Sequence, residues 1–399
     1  MFSNEVVSNL GKSSVVRAMF EEGTRLKQIY GEKNVYDFSI GNPDVEPPKK
    51  VKAILQEFSC DTEKGKHKYM SNAGYLETRK AIANSISNSH NIPITFENIC
   101  MTCGAAGGLN VVLKSLLNPQ EEVIVFAPYF VEYLFYIQNF NGVPVIVETA
   151  SDFKIDLEIL ASKITKNTKA IIINSPNNPT GVVYSKKELE NLNDLLCKKG
   201  AEYSTDIYLI SDEPYVAISY GVEVPSVLEI FENSIVVNSF SKSLALPGER
   251  IGYIALNPKI KEVSILMDAI LFCNRTLGYV NAPAIAQRLI TALIDESVDV
   301  NAYKEKRDIL YNGLTSIGFE CNLPDGAFYL FVKSPIPDDA AFVKLALEKY
   351  QIIAAPGAGF GRKGYFRLAY CINKEVIVNS LNVFKKLYEN ARMAEWQTR

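Results

Sequence analysis

The chain has 399 residues, of which 47% are hydrophobic and 22% charged. This composition supplies a large core and excludes a mainly disordered chain, and the length predicts two or three domains. The 42 Lys and Arg residues nearly balance the 45 Asp and Glu residues, giving a net charge of −3. That balance argues against a nucleic-acid-binding surface and against a polybasic membrane anchor.

The seven cysteines are scattered and odd in number, so we expect reduced thiols rather than a disulfide framework. Cys100 and Cys103 form a C-x-x-C pair, but the only histidines are His67 and His90. We therefore interpret both thiols as packing residues and predict no metal site. The sequence lacks the apolar stretch of a signal peptide and any apolar run that could span a bilayer, so we expect a cytoplasmic protein.

Short apolar runs alternate with helical patterns between about residues 100 and 260. The predicted strands are residues 123–126, 143–147, 170–174, 207–211, 234–239 and 251–256. They are rich in Ile and Val and apolar on both faces, which is typical of buried parallel strands. Helical segments such as residues 186–199 lie between them. The alternation predicts an α/β fold with a mostly parallel central sheet flanked by helices.

The C-terminal third has a different pattern. Helical patterns at residues 300–317, 340–350 and 374–392 accompany two extended segments at 327–332 and 364–370. We expect these segments to form a second, smaller α+β domain.

Three successive predicted strands each end in a polar cluster: N-S-P-N-N-P-T-G, S-D-E-P-Y and N-S-F-S-K-S. The carboxyl ends of parallel strands meet at one edge of a sheet, where α/β folds bind ligands. We therefore expect one crevice to contain Asn178, Asp212, Tyr215, Ser239 and Lys242. Each cluster alone could be a turn or a strand end, but three in succession indicate a site.

Cationic and glycine-rich features suggest the chemistry of this site. Lys242 follows a buried strand, where desolvation lowers the pKa of an amine and makes it a nucleophile, unless the side chain reaches solvent. Arg250, in P-G-E-R-I-G, could bind a phosphate in bidentate fashion or pair with a neighbouring glutamate. Small residues at 102–108 precede a predicted helix at 109–117. The free N–H groups at the start of this helix could bind an anion. Alternatively, the glycine-rich segment is only a packing turn.

The string S-F-S-K-S-x(3)-P-G-E-R-I-G-Y, which begins at Ser239, resembles the pyridoxal 5′-phosphate (PLP)-dependent aminotransferases of fold type I. The resemblance is to the aspartate aminotransferase superfamily, classes I and II. It extends from S-I-G-N-P-D at residues 39–44 to F-R-L-A at 366–369, nearly the whole chain. It implies transfer of an amino group between an L-amino acid and a 2-oxo acid, in a ping-pong mechanism through aldimine and ketimine intermediates. The alternative is a C–S β-lyase or another PLP lyase on the same fold.

The resemblance implies roles for the residues that face the cofactor. Lys242 would bind PLP covalently and act as general acid and base. Asp212 would pair with the pyridinium nitrogen, and Tyr215 and Asn178 would bind the phenolic oxygen. Lys242, Asp212 and Tyr215 are thus the expected catalytic residues.

Further residues are implied for the phosphate and the ring. The phosphate would be held by Ser239, Arg250 and the backbone of Ala105 and Ala106. Phe130 matches the aromatic residue that stacks on the ring, with Tyr129 as the alternative.

Other matches concern the substrate and a second subunit. Arg367 would grip the substrate α-carboxylate with Asn178, and Gly41 would close over it. Tyr69 matches a tyrosine that reaches the phosphate of the neighbouring subunit, which implies a homodimer with shared active sites. Related sequences of the aspartate type carry a lysine where this chain has Ala106, so aspartate preference is not implied; Arg275 is a candidate replacement cation.

The resemblance also implies domain boundaries. We expect a large PLP-binding domain at residues 46–275 and a small domain formed by residues 1–45 and 276–399. The glycine-rich segment at 356–361 lacks the full dinucleotide-binding pattern, so a nicotinamide dehydrogenase is not predicted. A ligand sensor fused to a DNA-binding module is disfavoured, because little chain precedes Gly41 and the charge is not basic.

Overall fold

The computed structural model describes residues 2–10 and 15–397. The helices within these residues are α1 (Asn4–Leu10), α2 (Val15–Tyr30), α3 (Lys50–Cys60), α4 (Leu76–Ser89), α5 (Gly104–Leu116), α6 (Glu132–Gln138), α7 (Leu157–Lys163), α8 (Lys186–Tyr203), α9 (Val227–Ile230), α10 (Phe240–Ser243), α11 (Val263–Thr276), α12 (Ala284–Ala292), α13 (Val300–Ile317), α14 (Asp339–Tyr350) and α15 (Lys374–Gln397). The strands are β1 (Tyr36–Asp37), β2 (Ile99–Thr102), β3 (Glu122–Ala127), β4 (Val143–Glu148), β5 (Thr168–Asn174), β6 (Tyr208–Asp212), β7 (Ser234–Ser239), β8 (Gly252–Leu256), β9 (Tyr329–Lys333), β10 (Ile352–Ile353), β11 (Ala355–Pro356) and β12 (Tyr365–Ala369).

The central sheet has seven strands in the order β2-β8-β7-β6-β5-β3-β4. Strands β4, β3, β5, β6 and β7 are parallel, as expected. The prediction for residues 251–256 was wrong in one respect, because β8 runs antiparallel to both β7 and β2. Only the four-residue α10 and a 3₁₀ turn connect β7 to β8, whereas parallel pairing needs a long crossover. The edge strand β2 was not predicted.

Both faces of this sheet are buried, which explains its apolar strands. Ile99 and Met101 pack against one face with residues of α4, α8 and α12, whereas Cys100 packs against the other with residues of α5 and α11. Successive side chains of a strand point to opposite faces. The predicted α/β architecture is confirmed.

The C-terminal third forms the second sheet. Strands β11, β12 and β9 make an antiparallel sheet that packs against α13, α14 and α15. The short strand β1 pairs in parallel with β10, which attaches the N-terminal segment to this part of the chain. The domain limits at residues 45 and 275 stay a prediction. In the described residues, no helix combines the length and apolar character needed to cross a membrane.

Helix ends agree with the sequence where a cap defines them. Asp299 accepts a hydrogen bond from the backbone of α13, and Gly318 ends that helix with a φ of 116°. The predicted bounds of 300–317 are therefore those observed. Helix α8 begins at a Ser185–Glu188 capping box, but it continues to Tyr203, four residues beyond the prediction.

Candidate active site

Polar residues of the first two predicted clusters meet at the carboxyl ends of β5 and β6. Asn174 and Asp212 are register partners on these strands. The Asn174 amide nitrogen donates to the Asp212 carbonyl oxygen at 2.7 Å, and its Oδ1 accepts from the backbone N–H of Asn178 at 2.7 Å. Asn174 therefore fixes the turn that carries Asn178 beside the end of β6.

The Asp212 carboxyl group is buried and half satisfied. Its Oδ2 accepts a hydrogen bond from the Tyr133 hydroxyl at 2.5 Å, whereas its buried Oδ1 has no partner among the described residues. Burial raises the pKa of Asp212 to about 7, and the hydrogen bond from Tyr133 opposes that rise. An unsatisfied buried oxygen is costly, so Oδ1 is a natural acceptor for an N–H group of a ligand. Tyr133 was missed in the sequence, where it is one aromatic among several after β3.

Lys242 lies on the short helix α10, beyond the end of β7. Its Nζ donates to the carbonyl oxygen of Gly41 at 2.6 Å and lies 5.4 Å from the centre of the Phe328 ring. Burial lowers the pKa of Lys242 to about 8, and the positive charges of Arg250 and Arg367 contribute in the same direction. A sizeable fraction of the amine is therefore neutral near physiological pH and able to attack a carbonyl carbon.

Arg367 is a buried cation on β12. Its Nη1 donates to Asn178 Oδ1 at 3.0 Å and its Nη2 to the Ser39 carbonyl oxygen at 2.5 Å. The guanidinium carbon lies 4.6 Å from the centre of the Tyr329 ring and 4.8 Å from that of Phe360. Its Nε is buried without a partner, and among the described residues no carboxylate pairs with the guanidinium. A buried charge without a counterion favours an anionic ligand.

The two cations hold the segment that contains Gly41. Arg367 binds the carbonyl of Ser39 and Lys242 binds that of Gly41. A Cβ atom added to Gly41 would overlap the hydroxyl oxygen of Tyr329. Gly41 is therefore required by close approach, and a ligand that binds either cation competes with the backbone of this segment.

The Gly41→Ala substitution tests this packing. We expect it to lower the free energy of unfolding by about 1–3 kcal/mol, because the added methyl group must displace the buried Tyr329. Gly248→Ala is the matched control, since a Cβ atom there meets nothing within 4 Å, and its effect should stay below about 1 kcal/mol. Urea denaturation of both variants measures the difference. Equal unfolding free energies for the two variants would show that the segment around Gly41 can shift to accommodate a methyl group.

A second corner of the site combines a helix N-terminus with an arginine. A Cβ atom added to Gly104, the first residue of α5, would lie 2.8 Å from Arg250 Nη2. Ala105 and Ala106 occupy the first turn of this 13-residue helix. Arg250 is exposed, and its Nη1 donates to the Pro247 carbonyl oxygen at 2.8 Å. No described carboxylate forms an ion pair with it, so this corner can accept an anion.

The remaining predicted residues differ in their surroundings. Ser239 is buried directly before α10, and Tyr215 is buried with its hydroxyl oxygen 2.9 Å from that of Tyr329. Phe130 is partly buried and contacts Tyr133 edge to face, with ring centres 5.5 Å apart. Tyr129, the alternative, is buried.

Two predicted residues are not brought to this cluster within one chain. Tyr69 is 93% exposed. Arg275 is also exposed and lies over the ring of Phe272, 5.7 Å from its centre. Neither has a described hydrogen bond or ion pair to the residues above.

Comparison with known families identifies the class of enzyme. The sequence profile of the family "Aminotransferase class I and II" matches residues 33–383. The chain belongs to this family, whose members use PLP and act on amino acids and oxo acids. The family, the fold type and the class of enzyme predicted from the sequence are confirmed.

Relatives cover almost the whole chain. A solved aminotransferase structure from Eubacterium rectale is 41% identical, with a TM-score of 0.94, and the match covers 98% of this chain and 99% of that one. The aspartate aminotransferase from Thermus thermophilus with maleate is 30% identical, with a TM-score of 0.84 and coverage of 94% and 96%. A probable aspartate aminotransferase of Methanocaldococcus jannaschii is 31% identical over 95% of this chain and 98% of its own.

Proposed function

We propose that this transaminase binds PLP at Lys242 and transfers an amino group from an L-amino acid to a 2-oxo acid in two half-reactions. The observation that carries the proposal is the pairing of a depressed-pKa lysine with an unsatisfied buried carboxyl oxygen, Asp212 Oδ1, at adjacent strand ends. Perturbed titratable groups in a crevice are typical of catalytic sites. An aromatic aldehyde with a basic ring nitrogen would use both groups.

The other donors fit the rest of PLP. A phosphate dianion suits the α5 N-terminus at Ala105 and Ala106, together with Arg250 and Ser239. The phenolic oxygen would accept from Tyr215 and Asn178, and Phe130 would stack on the ring. These assignments follow from the donor types present and from the family resemblance.

Each residue then has a distinct task. When bound, PLP supplies the electron sink for the substrate α-carbon. Lys242 would remove and return a proton at that carbon, which its lowered pKa permits near neutral pH. Asp212 would hold a proton on the ring nitrogen, and Arg367 would orient the α-carboxylate with Asn178. The segment containing Gly41 would exclude water from the bound substrate.

Two half-reactions with separate readouts test the transfer. A panel of amino acids, aspartate, alanine and aromatic amino acids included, is added singly to the PLP-loaded enzyme. One of them should remove the visible absorption of lysine-bound PLP, and a 2-oxo acid should restore it. Release of pyruvate and ammonia with no pyridoxamine phosphate would instead support the lyase alternative.

The lowered pKa of Lys242 predicts how its capture of PLP depends on pH. Only the neutral amine attacks, so the rate should rise about tenfold per pH unit below pH 8 and level off above it. Brief exposure of PLP-free protein to PLP, borohydride reduction and peptide mass spectrometry measure this rate. Exposed Lys333 is the internal control, because its hydrogen bond with Glu320 raises its pKa. The rate at which PLP modifies Lys333 should still be rising at pH 9. A Lys242 profile that keeps rising above pH 10 would contradict the prediction.

We also propose a homodimer with shared sites, because Tyr69 is a large aromatic side chain exposed to 93%. Lys242→Ala should be inactive alone, and Tyr69→Ala should keep about a tenth of the wild-type activity or less, since each breaks both sites of its homodimer. Random pairing of the two chains creates one intact site in each mixed dimer, and should restore about a quarter of the wild-type activity. If mixing restores no activity in dimers shown to exchange subunits, the shared-site proposal is wrong.

The domain limits belong to the same proposal. We propose a large domain at residues 46–275 and a small domain at residues 1–45 and 276–399.

A further inference from the structure

Tyr329, the first residue of β9, lies between three groups assigned above. Its hydroxyl oxygen is 2.9 Å from that of Tyr215, and its ring lies beneath the guanidinium of Arg367. Gly41 approaches the same hydroxyl so closely that an added Cβ atom would overlap it. Tyr329 therefore contacts the residues proposed for the cofactor, the α-carboxylate and the closing segment, although the sequence did not single it out.

The number of protons decides the direction of the Tyr215–Tyr329 hydrogen bond. Burial raises the pKa of Tyr329 to about 12 and that of Tyr215 well above its usual value. Each hydroxyl therefore carries one proton at neutral pH. If Tyr215 donates its proton to PLP, its oxygen can only accept. Tyr329 is the one hydrogen-bond partner that the described residues give the Tyr215 hydroxyl, so Tyr329 must then be the donor.

We propose that Tyr329 is a positioning residue, which donates to the Tyr215 hydroxyl and thereby orients and strengthens the hydrogen bond from Tyr215 to the phenolic oxygen of PLP. The inference rests on the proposed function. A hydroxyl that accepts a hydrogen bond becomes a better donor, because the two bonds polarise each other. The ring of Tyr329 packs against Arg367 independently of its hydroxyl, so the two contributions can be separated.

Tyr329→Phe removes the hydroxyl and keeps the ring. The readout is the pH midpoint of the visible absorption of the PLP-loaded protein, with no substrate present. A donor at the phenolic oxygen stabilises its negative charge and lowers the proton affinity of the adjacent lysine-bound nitrogen. Weakening that donor should raise the midpoint by roughly 0.5 unit in Tyr329→Phe, against about 1–2 units in Tyr215→Phe.

The matched control is Tyr220→Phe. Tyr220 is also buried in the hydrophobic core formed by the second sheet and α13, α14 and α15. Its hydroxyl donates to the Ala327 carbonyl oxygen and accepts from Tyr370. When the Tyr220 hydroxyl is removed, the Ala327 carbonyl oxygen still accepts a hydrogen bond from the Tyr370 hydroxyl. The variant should therefore fold and keep the wild-type midpoint. Melting temperatures of all variants show whether loosened packing accompanies any shift.

The double variant Tyr215→Phe/Tyr329→Phe decides the route of the effect. If Tyr329 acts through Tyr215, the double variant has the midpoint of Tyr215→Phe alone. An unchanged midpoint in Tyr329→Phe, or a further rise in the double variant, overturns the inference while leaving the proposed function intact. A wild-type protein that forms no visible band with PLP overturns both.

Discussion

Replacing Lys242 by alanine should lower the rate of amino-group transfer by about 10⁴-fold or more. The variant loses both the nucleophile that captures PLP and the group that moves the proton at the substrate α-carbon. Its fold should persist, because a part-buried amine whose described hydrogen bond is to one carbonyl, that of Gly41, contributes little to stability.

Lys333→Ala is the matched control for that experiment. Lys333 is exposed at the end of β9 and pairs with Glu320, so its loss should leave the rate within a factor of two of the wild type. Single-turnover kinetics with a reactive amino acid compare the variants. If Lys242→Ala keeps more than a hundredth of the wild-type rate, another base must move the proton at the substrate α-carbon.

Replacing Asp212 by asparagine should lower kcat/KM by about 10³-fold, the cost of removing one member of a buried charge pair. Asparagine has nearly the same shape, but its amide cannot hold a proton on the ring nitrogen. It can also still accept from Tyr133, so the surrounding packing should be preserved. A loss of less than tenfold would argue that the free oxygen of Asp212 faces no ligand nitrogen.

Two variants calibrate the effect of Asp212→Asn. Tyr133→Phe removes the hydrogen bond to Oδ2 and leaves the carboxylate in place, so we expect a loss of roughly tenfold, one hydrogen bond to a charged group. Asp206→Asn changes an exposed carboxylate just before the opposite end of the same strand, and it should leave kcat/KM unchanged. The loss in kcat/KM should therefore be largest for Asp212→Asn, smaller for Tyr133→Phe and absent for Asp206→Asn. That order would indicate a site at the carboxyl end of β6.

The strand-end argument could predict the centre of the site because it depends on local order along the chain. Asn178, Asp212 and Lys242 each lie at or just beyond the carboxyl end of a strand in one parallel run. Parallel neighbours bring these ends together. Tyr133 and Tyr329 could not be found this way. Each reaches the site from a different element, and packing between elements decides which way its hydroxyl points.

Other parts of the site depended on the family resemblance. Arg367 and Gly41 lie far from the strand-end clusters in sequence, and only the folded chain shows that Arg367 binds Asn178 and Lys242 binds Gly41. The antiparallel direction of β8 was missed because apolar composition reports burial and not direction. Tyr69 and Arg275 stay predictions, because both side chains are exposed and have no described hydrogen bond or ion pair to the site.

The most direct test of the account is to locate the PLP attachment. The purified protein is loaded with PLP, reduced with borohydride and digested, and the modified peptide is identified by mass spectrometry. The account predicts one modified residue, Lys242, together with a visible absorption band before reduction that Lys242→Ala lacks. Attachment at a different lysine, or no attachment at saturating PLP, would contradict it.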